Sequence, residues 1–277
     1  MCWNLFVGWE NRNRRSCTGI REKPAIFLDF GVQMLNGELR LPGTPSLVFV
    51  FYVLVLLPWL ALRSTRRLRQ NPQLLDDLRV RRRIWRSSIV MLLLLLWMAT
   101  ATGWGFGYSA FRGPADLPGT VSKSLLCLVA CLALLFGSSR LRTPQQRRQM
   151  FVYRFVPGTG ADWVLKIALA VTAGISEEVV YRGVLVQILW YSLGEFWLAI
   201  GISAIGFVLA HRQQGLQSML VILAIALLMQ WLVQSTGTLL GAMVVHALYD
   251  IIAMVVIARQ AARDARRSDA RKRSSAR

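Results

Sequence analysis

The sequence predicts an all-α fold: a polytopic transmembrane helical bundle of about seven spans. Three observations carry this. The chain is 55% hydrophobic and only 17% charged, with a mean hydropathy of +0.44, whereas soluble domains are roughly 25% charged. Several apolar runs approach or exceed the ~20 residues needed to cross a bilayer. They are continuous and Leu-rich rather than alternating, which excludes a β-barrel. The basic residues cluster at 63–69, 79–86, 140–154 and 259–277, each beside the end of an apolar run, as positive-inside topology requires.

In chain order, the expected spans are 45–62, 88–107, 122–137, 161–193, 196–211, 216–233 and 238–258. Pro58 is expected to kink the first. The loop 64–87 is arginine-rich against only Asp76 and Asp77, so it is expected to be cytoplasmic. The hairpin 108–121 is rich in Gly and Pro and nearly uncharged, so it is expected to face out. The segments 138–154 and 259–277 return to the cytoplasm by their basic charge. The run 161–193 is about 33 residues, or roughly 50 Å of helix, too long for one perpendicular crossing. Its first part, 162–175, reads as a tilted or interfacial lead-in, with the crossing proper starting near Glu177 in the cytoplasmic half. The domains are then an N-terminal arm (1–44), N-terminal transmembrane helices with basic loops (45–154), a helical core carrying the chemistry (155–258) and a basic cytoplasmic tail (259–277). The arm is mixed in character and lacks the pattern of a cleavable signal peptide.

The net charge of +19 does not indicate nucleic-acid binding, because the basic residues flank spans and no nucleic-acid motif accompanies them. Attraction to anionic membrane lipids is the expected consequence. The four cysteines show no CxxC metal spacing and no disulfide framework. Cys127 and Cys131, four apart, read as small packing residues. Trp85, Trp97, Trp104, Trp163, Trp190, Trp197 and Trp231 read as interface belt or packing.

The chemistry lies in three apolar segments. Ile175-Ser-Glu-Glu-Val-Val-Tyr-Arg182 places adjacent carboxylates inside one run. Phe207-Val-Leu-Ala-His211 and His246-Ala-Leu-Tyr-Asp250 hold the only two histidines of the chain. An ionisable group in a lipid-embedded helix costs roughly 2.5–3.5 kcal/mol on insertion scales, so such groups mark functional sites. Residues four apart share a helix face. Glu178 and Arg182 therefore read as a paired, buried bridge, which leaves Glu177 free as a general base. Asp250, one turn beyond His246, can orient that imidazole or serve as an oxygen ligand. Tyr181 and Phe207 read as pocket walls. Taken singly, each residue has a bland reading: an ion pair, an interhelical hydrogen bond or packing. Together they supply a water-activating base and groups to stabilise an oxyanion.

The three motifs Glu-Glu-x-x-x-Arg (177–182), Phe-x-x-x-His (207–211) and His-x-x-x-Asp (246–250), in that order, resemble those of the CPBP family. These are the CAAX-protease and bacteriocin-processing (Abi) intramembrane proteases. The resemblance covers about 161–258 and implies an endopeptidase working within the bilayer on a membrane-associated peptide or protein. Carried over by position, Glu177 would activate water with help from His211. His246 and Asp250 would stabilise the oxyanion or complete a metal site, and Glu178 and Arg182 would hold the architecture. The resemblance implies either a metal-free glutamate mechanism or a Zn site drawn from Glu177, His211, His246 and Asp250; no HExxH motif is present. Prenyl-protease members generally carry Asn where this chain has Asp250, which argues against a strict CAAX enzyme. Two other classes remain open: a catalytically silent membrane scaffold or immunity protein, and a small proton-coupled transporter. Arg-rich, Lys-poor usage without sorting motifs points to a prokaryotic inner membrane.

Overall fold

Each expected apolar run becomes a helix in the computed structural model, which describes residues 43–275. Nearly all of the expected 1–44 arm lies outside the described residues. The first span starts from an extended Gly43 with Pro45 in the opening turn, where its missing N–H costs nothing. It runs as α1 (Thr44–Phe51), a π-helical stretch (Tyr52–Leu56) and α2 (Leu57–Gln70). Pro58 offers no N–H to the carbonyl four residues back, and the widened turns immediately precede it.

Polar residues at the helix starts take up backbone N–H groups that no helical carbonyl reaches. Asp77 caps α3 (Leu78–Gly105) by accepting from the Arg79 amide, and Asp116 caps α4 (Leu117–Arg140) by accepting from that of Gly119. Thr143 and Gln146 form a reciprocal capping box on the short α5 (Pro144–Gln149). Thr159 and Asp162 do the same for α6 (Gly160–Glu177). From α6 the helix continues through a π-helical segment (Glu178–Leu185) into α7 (Val186–Leu193), which Gly194 ends in the left-handed region at φ 72°. Then follow α8 (Phe196–Ala210), α9 (Leu216–Thr236) and α10 (Leu240–Ser275). Five stretches are long and apolar enough to cross a membrane: Thr44–Arg66, Leu78–Gly105, Leu117–Arg140, Leu216–Thr236 and Leu240–Arg267. Phe196–Ala210 is apolar but shorter. The basic tail expected beyond 258 continues α10 as helix to Ser275.

The helix ends are pinned by polar contacts. At the basic end, Arg82 Nε donates to Asp162 Oδ1 at 2.6 Å and Arg81 Nη1 to the Val156 carbonyl at 2.9 Å. There Arg142 reaches Gln217 and Ser218 on α9, and Tyr153 Oη donates to Gln260 on α10 at 2.7 Å. At the opposite end, Thr238 Oγ1 donates to the Arg112 carbonyl at 2.7 Å and Lys123 Nζ to that of Ser235 at 2.7 Å. Between the ends, Leu94, Trp97, Trp104, Leu126, Val129 and Trp197 point outward, the apolar exterior of a protein solvated by lipid. Trp85, Cys127 and Cys131 are buried between helices.

The helix from Gly160 to Leu193 corrects one expectation. Its first part is not an interfacial lead-in: α6 packs along both α3 and α10. Asp162 is level with Arg82 at the basic end, and Gly183 is level with Tyr108 and Leu239 at the other. Glu177 stands fifteen residues beyond Asp162, roughly 22 Å along the axis. The glutamates therefore lie past the midpoint of the bundle and not in its basic half. The early helix could be packed because Ala170, Ala173 and Gly174 give it a narrow face.

Candidate active site

Small residues bring the catalytic candidates together. A Cβ added at Gly174 would stand 2.8 Å from the Ala247 amide nitrogen and 3.0 Å from the Met243 carbonyl oxygen. Helices α6 and α10 thus approach almost backbone to backbone, and the residues three and four beyond Gly174 face His246. Immediately after this crossing the helix widens to π geometry over Glu178–Leu185. Widening of this kind leaves backbone carbonyls without their usual partner and often marks functional sites. One of them is satisfied from outside: Ser203 Oγ on α8 donates to the Tyr181 carbonyl at 2.6 Å. Every residue from Glu178 to Trp190 is buried, so this is the central helix of the bundle, enclosed on all faces.

Glu178 is fully buried and is the hub. Its Oε1 accepts from His246 Nδ1 at 2.7 Å and faces Arg182 Nη1 at 3.1 Å. The expected Glu178–Arg182 bridge is present, and the same oxygen also holds the histidine. Arg182 is sandwiched, because its guanidinium carbon lies 4.3 Å from the Phe207 ring centroid on its other side. Neither Arg182 Nη1 nor Nη2 makes an aligned hydrogen bond, and Glu178 Oε2 has no hydrogen-bond partner. The arginine is thus held by charge and by the ring face rather than by a bidentate fork.

With Nδ1 committed to Glu178, the His246 ring presents Nε2 to the remaining acids. Glu177 Oε2 is 3.7 Å away and Asp250 Oδ2 3.9 Å. Both distances exceed a direct hydrogen bond and suit an intervening water or substrate atom. The orienting contact that sequence spacing offered to Asp250 is made by Glu178 across helices. Exposure rises from none at the Glu178 side chain to 16% at Glu177 and 37% at Asp250, so the site opens on the Glu177–Asp250 side. Lys166, also on α6, and His211 lie within electrostatic range of Asp250.

His211 closes α8 and joins the cluster through Phe207. Fifteen residues make roughly 22 Å of helix, less than the ~30 Å hydrocarbon core. The chain leaves helical geometry at His211 itself, where Nδ1–H donates to the Phe207 carbonyl at 2.8 Å. That bond fixes the tautomer and leaves Nε2 with a free lone pair. Phe207 ties the set together: its ring centroid is 4.5 Å from that of His211, 6.4 Å from His246 and 5.0 Å from Tyr181. The structure therefore gathers Glu177, Glu178, Tyr181, Arg182, Phe207, His246 and Asp250 around one centre, with His211 joined through the Phe207 ring. Tyr181 and Phe207 pack edge to face beside the cluster, and Tyr181 Oη is buried without a hydrogen-bond partner. Sequence spacing did not reveal Ser203, Lys166 or the role of Glu178 as the histidine's partner. A serine facing the site from an otherwise apolar helix was the only available signal for the first.

Among the described residues, no group of three or more His, Cys, Asp or Glu side chains converges to hold a metal ion. One histidine nitrogen is spent on Glu178 and another on a carbonyl. Each ring keeps its Nε2, so these bonds alone do not exclude ligation, but the described side chains do not converge into a Zn site.

The family model for type II CAAX prenyl endopeptidase, Rce1-like, matches residues 159–252. Searches among curated proteins and among solved structures give no match. The matched region is about a third of the chain, begins at the Thr159 cap of α6 and ends two residues beyond Asp250, so it takes in every residue of the cluster. Residues 159–252 are therefore similar to the Rce1-like type II CAAX prenyl endopeptidase domain, a match consistent with the CPBP family.

Proposed function

We propose that this chain hydrolyses a peptide bond of a membrane-associated peptide or protein, with Glu177 as general base. The observation that carries the reading is the arrangement at His246: Nδ1 is fixed by buried Glu178, and Nε2 is aimed between two partly accessible acids, Glu177 and Asp250. A water between Glu177 and the scissile carbonyl loses a proton to the Glu177 carboxylate, and its oxygen attacks the carbonyl carbon. His211 Nε2 accepts the water's other hydrogen and aims its oxygen. His246 Nε2–H donates to the developing oxyanion, and Glu178 sustains the charge on that ring. Glu177 then passes its proton to the amide nitrogen as the C–N bond breaks, giving a free carboxylate and an amine.

Asp250 stands on the oxyanion side. Because Glu178 orients the imidazole, Asp250 is free for a second role, as a protonated carboxyl donating to the oxyanion beside His246. Burial of Glu178, Arg182 and His246 strengthens the interactions they make. Basic loops on the cytoplasmic face follow the positive-inside rule.

The purified full chain in liposomes, presented with a library of membrane-anchored peptides, tests this. Defined cleavage products that vanish in Glu177→Gln are expected. Absence of any cleavage, with Glu/His-dependent proton flux instead, would assign the cluster to transport.

A further inference from the structure

We propose that a cavity at the basic end, between α2 and the turn at residues 212–214, binds the headgroup of an anionic phospholipid. It has a volume of about 820 Å³ and is lined by Trp59, Leu62, Arg63, Arg66, Gln70 and Arg212, among others. This is the size of a small-ligand site. Three guanidinium groups line it and no carboxylate does. Two other arginines at this end have acidic partners, in Arg82–Asp162 and Arg147–Asp264. Arg63, Arg66 and Arg212 have none among the described residues, so the cavity holds uncompensated positive charge. Arginine suits a phosphodiester by its planar fork of donors.

The apolar part of the wall indicates a lipid rather than free phosphate. Arg63 stacks on Trp59, its guanidinium carbon 5.3 Å from the ring centroid. Trp59, Leu60 and Leu62 are exposed at 50%, 38% and 37% on the flank of the first span. A phosphate in the cavity would leave its glycerol at Trp59 and its acyl chains along this flank, the order in which tryptophan and arginine occur at a membrane interface. Arg212 directly follows His211, so a bound headgroup also anchors the turn that ends α8. The inference does not depend on peptidase activity.

Native mass spectrometry of the detergent-purified full chain tests it, with phosphatidylglycerol and phosphatidylcholine as probes. Retained phosphatidylglycerol in excess of phosphatidylcholine is expected. A variant with Arg63, Arg66 and Arg212 changed to Gln should lose roughly tenfold more of it than a variant with the exposed Arg263, Arg266 and Arg267 changed to Gln, which removes equal charge elsewhere. A second measurement uses the unaltered site. Brominated phosphatidylglycerol should quench tryptophan emission more in the native chain than in Trp59→Phe. Equal loss in the two arginine variants, equal retention of both lipids, or displacement by inorganic phosphate alone would each overturn the lipid site.

Discussion

One oxygen of Glu178 meets both His246 and Arg182, and this sharing sets what each single substitution should do. Glu178→Ala strands the Arg182 guanidinium in a site with no other acid against it, at a cost of about 3–5 kcal/mol. Thermal unfolding in detergent should show a clearly lowered Tm, and unchanged stability would contradict the bridge. Replacing both partners, Glu178→Gln with Arg182→Met, should recover much of that stability and none of the activity, since His246 loses its anionic partner. At Asp250 the account expects Asn to retain activity within about threefold, because the amide NH₂ donates to an oxyanion at every pH. The alkaline fall in rate that a protonated carboxyl imposes should disappear in that variant. Loss of activity on Asp250→Asn, comparable to that of Glu177→Gln, would instead require the carboxylate itself. The residue types were legible in the sequence, since paired acids and lone histidines in apolar runs have few structural uses. Their partners were not. Spacing of four reports neighbours on one helix, whereas the Glu178–His246 bond joins residues 68 apart.

At the level of helices, two devices place these groups. The close crossing of α6 and α10 depends on Gly174, whose added Cβ would strike the α10 backbone. Gly174→Val should push α10 away, costing about 1–3 kcal/mol by overpacking and separating His246 from both glutamates. A cysteine pair engineered across this crossing should lose its crosslinking in the Val variant, and persistent crosslinking would show that the helices need no glycine there. The second device is the π-helical stretch, held open by Ser203. Ser203→Ala leaves the Tyr181 carbonyl unpaired in a buried setting, about 1–3 kcal/mol, and should depress activity more than its stability loss explains. The helices themselves were readable from continuous apolar runs and basic flanks. The π widening was not, because its bonds leave no compositional trace, and 162–175 was misplaced because the run 161–193 is too long for one perpendicular crossing. Its start is fixed instead by Asp162, which closes the α6 cap and binds Arg82.

The whole molecule is organised inside out: lipid-facing apolar surfaces enclose a polar centre past the bundle's midpoint, roughly 22 Å along α6 from the basic end. Its fold class and approximate span number follow from composition alone, since lipid solvation leaves helices as the only satisfied backbone for continuous apolar runs. The depth of the site depends on the packing of α6 against α3 and α10, and emerges only when helices are assembled. Removing metal should not change the rate, since the described donors form no metal group; abolition by a chelator, with recovery on adding Zn²⁺, would establish a metal requirement. The central claim is hydrolysis by water activated at Glu177. The most direct test is cleavage of a membrane-anchored peptide in ¹⁸O-labelled water by the native chain and by Glu177→Gln, the two matched in thermal stability. The account predicts one ¹⁸O in the new carboxylate of the product from the native chain and no product from the variant. Undiminished cleavage by Glu177→Gln would contradict it.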